Sequence, residues 1–247
     1  MKKDYVSSYV IKRLPRYYRF LGDLIDEGRD RISSSELGGR LKLTASQVRQ
    51  DLNCFGEFGQ QGYGYNVELL REEIGRIIGI NGDKSNTVII LGAGKLGSAI
   101  CDNPSFEKRG CKIIGIFDKD PALKGKDAGG HKIRFAGELE NFCRRYSPDI
   151  AVLCVPKESA KLVCEELIGL GVTNFWNFTH FDINLHFDDV NVENVHLGDG
   201  LLTLVYNLNA AKDDAQAQIL GPSARKAEAE RQAAELRVRR LKKQKGE

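Results

Sequence analysis

The sequence predicts an α/β protein in two parts, a small helical domain ahead of a doubly wound parallel sheet. Three observations predict it. Gly92, Gly94 and Gly97 stand in G-x-G-x-x-G order between a β-rich run ending at Leu91 and a helical pattern. Strand-like and helix-like stretches then alternate as far as Phe178, the pattern of helices packed on both faces of a parallel sheet. The residues ahead of the glycines read instead as short amphipathic helices and a glycine-rich hairpin.

The first helix is carried by SYVIKRLPRYYRFLGDLIDEG, where Val10, Leu14, Tyr17, Leu21, Leu24 and Ile25 make an apolar stripe at helical spacing. Pro15 is expected in a first turn, where its missing N–H costs little, and Gly28 ends the segment. Ser33–Ser35 start a second helix. A third starts at Thr44, where Thr44-Ala45-Ser46-Gln47 fits a capping box. Val48, Leu52 and Phe55 should pack inward, leaving Ser46, Arg49, Gln50 and Asn53 outward with Gln47 on the flank. A short capped helix with that outward row, after a helix and a tight turn, is a helix-turn-helix pattern. Arg, Asn and Gln are the side chains that match base edges in the major groove. A small helical bundle with a polar surface fits the same face.

FGEFGQQGYGYNV follows, a hairpin with its tip at Gln60-Gln61-Gly62 and Phe58, Tyr63 and Tyr65 between glycines. Helices followed by a hairpin make a winged helix. Candidate DNA contacts are therefore Lys12, Arg13 and Arg16 in the basic first helix. Thr44, Ser46, Gln47, Arg49, Gln50 and Asn53 join them in the third helix, and Gln60, Gln61 and Tyr63 in the wing. NVELLREEIGRIIGI closes the domain with Asn66 as N-cap, and residues 81–86 form a polar linker.

In the second part the glycines serve a tight turn, close approach to a pyrophosphate and close helix–strand packing. Strand KIIGIF ends at Asp118, 21 residues past Gly97, where a carboxylate can bond a ribose hydroxyl and disfavour a 2′-phosphate. This favours NAD(H) over NADP(H), and Lys119 alongside offsets it. A helix over 136–146, a strand Ile150–Cys154, a helix over 158–170 and a strand Asn174–Phe178 complete a Rossmann-type sheet. Ligands lie beyond the carboxyl ends of such strands. The candidate nucleotide site is thus Gly92, Ala93, Gly94, Lys95, Leu96, Gly97, Asp118, Lys119, Val155, Pro156 and Ser159. The reading in which Pro156 only starts a helix holds equally.

Charge separates along the chain: +2 over residues 1–80, −3 over 81–211 and +4 over 212–247. The basic first helix suits a polyanion or a solvated face. No apolar run approaches the ~18 residues that span a bilayer, and charges occupy the N-terminus where a signal peptide needs apolar residues, so a cytoplasmic location without a membrane partner is expected. Six cysteines fall in no C-x-x-C pair and at no metal-ligand spacing; Cys154, in the run IAVLC, is expected as a buried thiol. His131, His180, His186 and His196 are scattered, and no acid/base set with an anion clamp is evident. The chain is not expected to be an enzyme. A dehydrogenase with an appended helical domain and a CoA-binding protein are the alternatives.

A winged helix joined to a Rossmann domain resembles the family of redox-sensing transcriptional repressors Rex. The resemblance runs from about Lys12 to Asn209 and rests on RLPRYYRFL, SQVRQDL, FGEFGQQGYGYNV, GAGKLGSA, GIFDKDP, Val155-Pro156, NFWNF and LVYNL. It implies a homodimer on a palindromic, inverted-repeat operator in double-stranded DNA, released by NADH, with NAD+ competing and neither turned over. The helix over Asp199–Asn209 resembles the family's domain-swapped helix, which packs on the partner subunit. Some members signal through an Arg, a Tyr and an Asp. Here the Arg position matches Arg19, the Tyr position holds Asn103 and the Asp position holds His196, while His180 stands where a Pro is usual. The expected organisation is 1–80 winged helix, 81–86 linker, 87–198 dinucleotide domain, 199–211 swapped helix and 212–247 a basic tail, disordered or a frayed helix.

Overall fold

The computed structural model describes residues 6–56, 58–60, 63–80 and 85–219. Its first helix, α1 (Ser8–Asp26), starts where the Ser7 hydroxyl accepts the Tyr9 N–H and buries Val10, Leu14, Tyr17, Leu21 and Leu24. Pro15 therefore lies in the middle of α1 and not in its first turn. Pro15 and Ile11, the residue whose carbonyl loses its helical donor, both sit outside the core. Gly28, at φ +71°, stands just past the end of α1, where the segment is expected to stop.

A two-residue strand, β1 (Arg31–Ile32), leads into α2 (Ser34–Leu41), capped by Ser33, and α3 (Ala45–Asn53), capped by Thr44. The hairpin is β2 (Gly59–Gln60) with β3 (Gly64–Asn66), and α4 (Val67–Ile77) follows with Asn66 as its cap. The three strands form an antiparallel sheet in the order β1-β3-β2. Gly64 is required there: a Cβ would stand 2.6 Å from the Ile32 carbonyl oxygen. Leu14, Leu21, Val48, Leu52, Leu70 and Ile74 make the centre of one apolar core. Gln61 lies outside the described residues, as do 81–84 of the linker.

The second sheet is built on β4 (Asn86–Leu91), whose Val88 to Leu91 are all buried, as a central parallel strand requires. After it come α5 (Lys95–Cys101), β5 (Cys111–Asp118), β6 (Asp127–Ala128), β7 (His131–Phe135), α6 (Leu139–Tyr146), β8 (Ile150–Leu153), α7 (Lys157–Gly169), β9 (Asn174–Asn177) and β10 (Asn191–Asn194). The order is β10-β9-β8-β4-β5-β7-β6. β4, β5, β7, β8 and β9 run parallel, and β6 is antiparallel to β7. The edge strands β6 and β10, and β7 next to β6, carry little apolar alternation, which is why periodicity does not reveal them. Ile89, Leu91, Ala151, Leu153 and Phe175 pack beneath α6 and α7. The chain order reverses between β4 and β8, so the crevice at their carboxyl ends is the topological switch point.

Contacts divide the chain into two compact units: residues up to Asn177 with Phe181–Glu193, and Phe178–His180 with residues from Asn194 onward. The second contains α8 (Leu197–Ile219), longer at both ends than the predicted Asp199–Asn209. It takes in 212–219 of the expected tail; the remainder lies outside the described residues. No helix among the described residues is long and apolar enough to cross a membrane.

Candidate nucleic-acid interface and nucleotide site

Capping fixes where α3 begins. Thr44 Oγ1 accepts the Gln47 N–H at 3.1 Å, and Val48 and Leu52 turn into the core with Phe55 packed against it. Ser46, Arg49, Gln50 and Asn53 then face solvent together and line a shallow groove that ends at Cys54. The sequence-predicted reading face is thus one continuous polar surface. Arg49 Nη1 donates to Ser34 Oγ at 2.9 Å, which ties it to the start of α2. In the wing, Tyr63 is exposed, and Arg31 Nη1 donates to its carbonyl at 3.3 Å.

The second half of the capping box is not made. Gln47 Nε2 instead donates to Asp51 Oδ1 at 2.8 Å. Arg13 reaches the same carboxylate twice, Nε to Oδ2 at 2.5 Å and Nη2 to Oδ1 at 2.7 Å, and the Tyr17 hydroxyl donates to Oδ2 at 2.9 Å. Asp51 is wholly buried. Burial pushes its carboxyl up, and the hydrogen bonds from Arg13, Gln47 and Tyr17 outweigh that, leaving it below the ordinary aspartate value. Tyr17 is raised by burial and by its bond to Asp51. Sequence reasoning missed Asp51. The signal was present: Val48, Asp51, Leu52 and Phe55 share the i, i+3, i+4, i+7 inward face. Of the remaining basic candidates, Arg16 Nη2 donates to the Leu41 carbonyl at 2.7 Å, and exposed Lys12 stands 3.5 Å from Glu193 Oε1.

At the switch point the site is made of backbone. Gly92 turns at φ +97°, and a Cβ there would lie 2.6 Å from the Cys154 carbonyl oxygen and 3.2 Å from the Val155 nitrogen. The end of β8 therefore abuts the glycine turn, which brings Val155 and Pro156 beside Gly92. Pro156 also serves as N-cap of α7, and Ser159 lies in its first turn. A Cβ on Gly97 would stand 1.9 Å from the Gly92 oxygen, so α5 packs too closely for any side chain. Gly94 differs: a Cβ would meet nothing within 4 Å. That open surface is where a pyrophosphate can approach backbone, so the loop fits a dinucleotide. Asp118 closes the cradle from β5, accepting the Ala93 N–H at 2.7 Å on Oδ2 and the Asp120 N–H at 2.9 Å on Oδ1. Lys95, Leu96 and Lys119 are exposed around it. Cys154 is half-buried rather than fully buried, and burial raises its thiol to about 12.

The three candidate switch residues have separate surroundings. Arg19 is exposed on α1, and Asn103 Oδ1 accepts the Ser105 N–H at 3.0 Å. In the second unit, His196 Nδ1 lies 3.4 Å from Asp199 Oδ2, and its ring is 5.4 Å from that of His180. α8 leaves Leu197, Leu201, Leu202, Leu204, Val205, Tyr206 and Leu208 exposed.

Residues 5–53 match the family profile of a putative DNA-binding protein N-terminus, and residues 83–181 match the CoA binding domain. The redox-sensing transcriptional repressor Rex of Clostridium botulinum (strain Alaska E43 / Type E3) is 48% identical over 208 residues, 84% of this chain and 98% of its own. That of Caldicellulosiruptor saccharolyticus is 48% identical over 84% of this chain and 94% of its own. Among solved structures, RSP in complex with β-NAD+ and operator DNA superposes with a TM-score of 0.79 at 45% identity, covering 87% of this chain and 97% of RSP. RSP in complex with β-NADH gives 0.78 at 43%, covering 85% and 98%.

Proposed function

The chain belongs to the Rex family of redox-sensing transcriptional repressors, and from that premise we propose that it is a cytoplasmic repressor that reports the NADH/NAD+ ratio to an operator. The carrying observation is the pairing in one chain of a glycine cradle open at Gly94 with a capped helix presenting Ser46, Arg49, Gln50 and Asn53. Gly92 to Gly97 would receive the pyrophosphate, Asp118 the adenosine ribose, and Val155, Pro156 and Ser159 would border the crevice. The bound nucleotide is sensed and not turned over.

The DNA reading follows from the same economy of parts. α3 enters the major groove, with Thr44 at its N-cap, and the wing at Gln60, Gln61 and Tyr63 lies along the backbone. Lys12 and Arg16 supply positive charge beside it. A homodimer assembled through the exposed apolar face of α8 presents two such helices to an inverted repeat, about 34–36 Å or a multiple apart. An apolar surface of that extent on a helix marks an interface.

NADH must bind the DNA-released arrangement better than the bound one, because a ligand of equal affinity shifts nothing. The neutral reduced nicotinamide suits a closed apolar pocket, while its cationic oxidised form resists desolvation. Electrophoretic mobility shift on palindromic DNA tests this. NADH is expected to release the protein at lower concentration than NAD+; equal release by both sinks the sensing role. The match of residues 83–181 to a CoA-binding profile favours one second reading, and thermal-shift comparison of NADH, NADPH and CoA separates the two.

A further inference from the structure

Asp51 is the one charged residue in the core among the described residues. An ionised carboxylate inside a protein is costly unless its lone pairs are met, and here four donors meet them. Arg13 and Tyr17 come one turn apart on α1, and Gln47 comes one turn back on α3. A leucine could fill the same space between the helices without the desolvation. What a leucine could not do is fix two polar side chains.

Those two side chains, Arg13 and Gln47, stand at the rim of the reading face. With Gln50, Asn53 and Tyr9 they line a second groove whose floor is Asp51. One N–H of the Gln47 amide is thereby engaged within the protein, which fixes the direction of the side chain. The Arg13 charge is matched by a carboxylate that no counterion reaches, while Nη1 is not engaged by Asp51. Affinity from phosphate contacts depends on charges that displace counterions, so a neutralised arginine can donate to a phosphate without steepening the salt dependence.

We propose that Asp51 is a positioning residue for DNA recognition, which holds Gln47 and Arg13 at the rim of α3 and cancels the Arg13 charge, so that base reading falls to Ser46, Arg49, Gln50 and Asn53. This rests on the DNA-binding reading above. The network also ties α3 to α1, so the pitch of the reading helix is set by hydrogen bonds of fixed direction and not by apolar contact alone.

The test uses the full chain and a palindromic operator selected by the wild-type protein from a random-sequence pool. In Asp51→Asn, which keeps the shape and one acceptor, the Arg13 charge is released. Binding to scrambled DNA is expected to strengthen, and the slope of log affinity against log salt to steepen by about one. The operator-to-scrambled ratio falls about tenfold. A merely structural role would weaken both DNAs together with the slope unchanged, and that result overturns the proposal.

Gln47→Met changes a half-exposed side chain and keeps the ion pair. Against a set of singly substituted operators it is expected to blunt discrimination at several positions with the salt slope unchanged. Relaxation at a single position would make Gln47 a base reader and overturn the proposal. Should the wild-type protein select no operator at all, the DNA reading itself fails and this proposal with it. A wild-type protein that discriminates while both variants match it overturns this proposal alone.

Discussion

The two candidate sites are built from different materials. The nucleotide cradle is backbone, shaped by side chains that are missing: at Gly92 and Gly97 a single carbon would collide with main-chain oxygens at 2.6 and 1.9 Å. The reading helix is the reverse, a regular backbone whose work is divided among side chains. Four of them face out, and Asp51 holds two more from inside. A site made of excluded volume fails abruptly when a carbon is added. One made of side chains loses function by degrees, because each contact is a separate term.

Glycine substitutions probe the cradle at its limit and carry the largest expected effect. Gly97→Ala forces α5 away from the Gly92 turn, so the nucleotide domain should melt well below wild type and lose NADH binding. Gly94→Ala places its carbon in open space; its melting temperature should match wild type while NADH affinity falls steeply. Calorimetric titration beside a melting curve separates the two. Wild-type NADH affinity in Gly94→Ala would mean that the pyrophosphate does not approach the loop at that residue.

The same contrast explains what was legible in the sequence. Gly92, Gly94 and Gly97 could be read because a steric demand dictates residue type at fixed spacing. Thr44 and Asn66 could be read as caps, and the serine run from Ser33 as a helix start, because each cap satisfies helix N–H groups within three residues of itself. Asp51 could not be read in the same way, since its donors Arg13 and Tyr17 lie 38 and 34 residues away. A carboxylate on an inward face signals a partner without saying which. Pro15 misled because proline is read as punctuation, whereas Ser7 had already started α1 and the stripe from Val10 to Leu24 holds the helix through it. β6 and β10 escaped because two to four residues at a sheet edge carry no periodicity.

Acid should break the comparison on the other side. Asp51 titrates below its unfolded value of 3.8, so its contribution is complete above that value and is lost as pH falls through the folded one. Among the described residues the nucleotide domain holds no carboxylate in its core. The winged helix should therefore lose stability first on acidification, seen as loss of circular dichroism before any change in the fluorescence of Trp176, the single tryptophan. In Asp51→Asn that difference between the two probes should shrink. Coincident transitions in the wild-type protein would show that Asp51 does not govern the acid limit.

The smallest effect expected is at one outward side chain. Arg49 is exposed, central in the row of α3, and held by Ser34 Oγ at 2.9 Å, with its other guanidinium nitrogens making no hydrogen bond among the described residues. Guanidinium meets the O6 and N7 edge of guanine bidentately, and no other side chain in the row does so. Arg49→Ala removes no core contact, so melting should be unchanged. Operator affinity should fall by about 1–3 kcal/mol, with relaxed preference at one base pair in each half-site and little change on scrambled DNA. A uniform loss across all sequences, with the salt slope reduced by about one, would make Arg49 a phosphate contact. The discrimination of α3 would then rest on Ser46, Gln50 and Asn53, and the reading face would be narrower than its exposed row suggests.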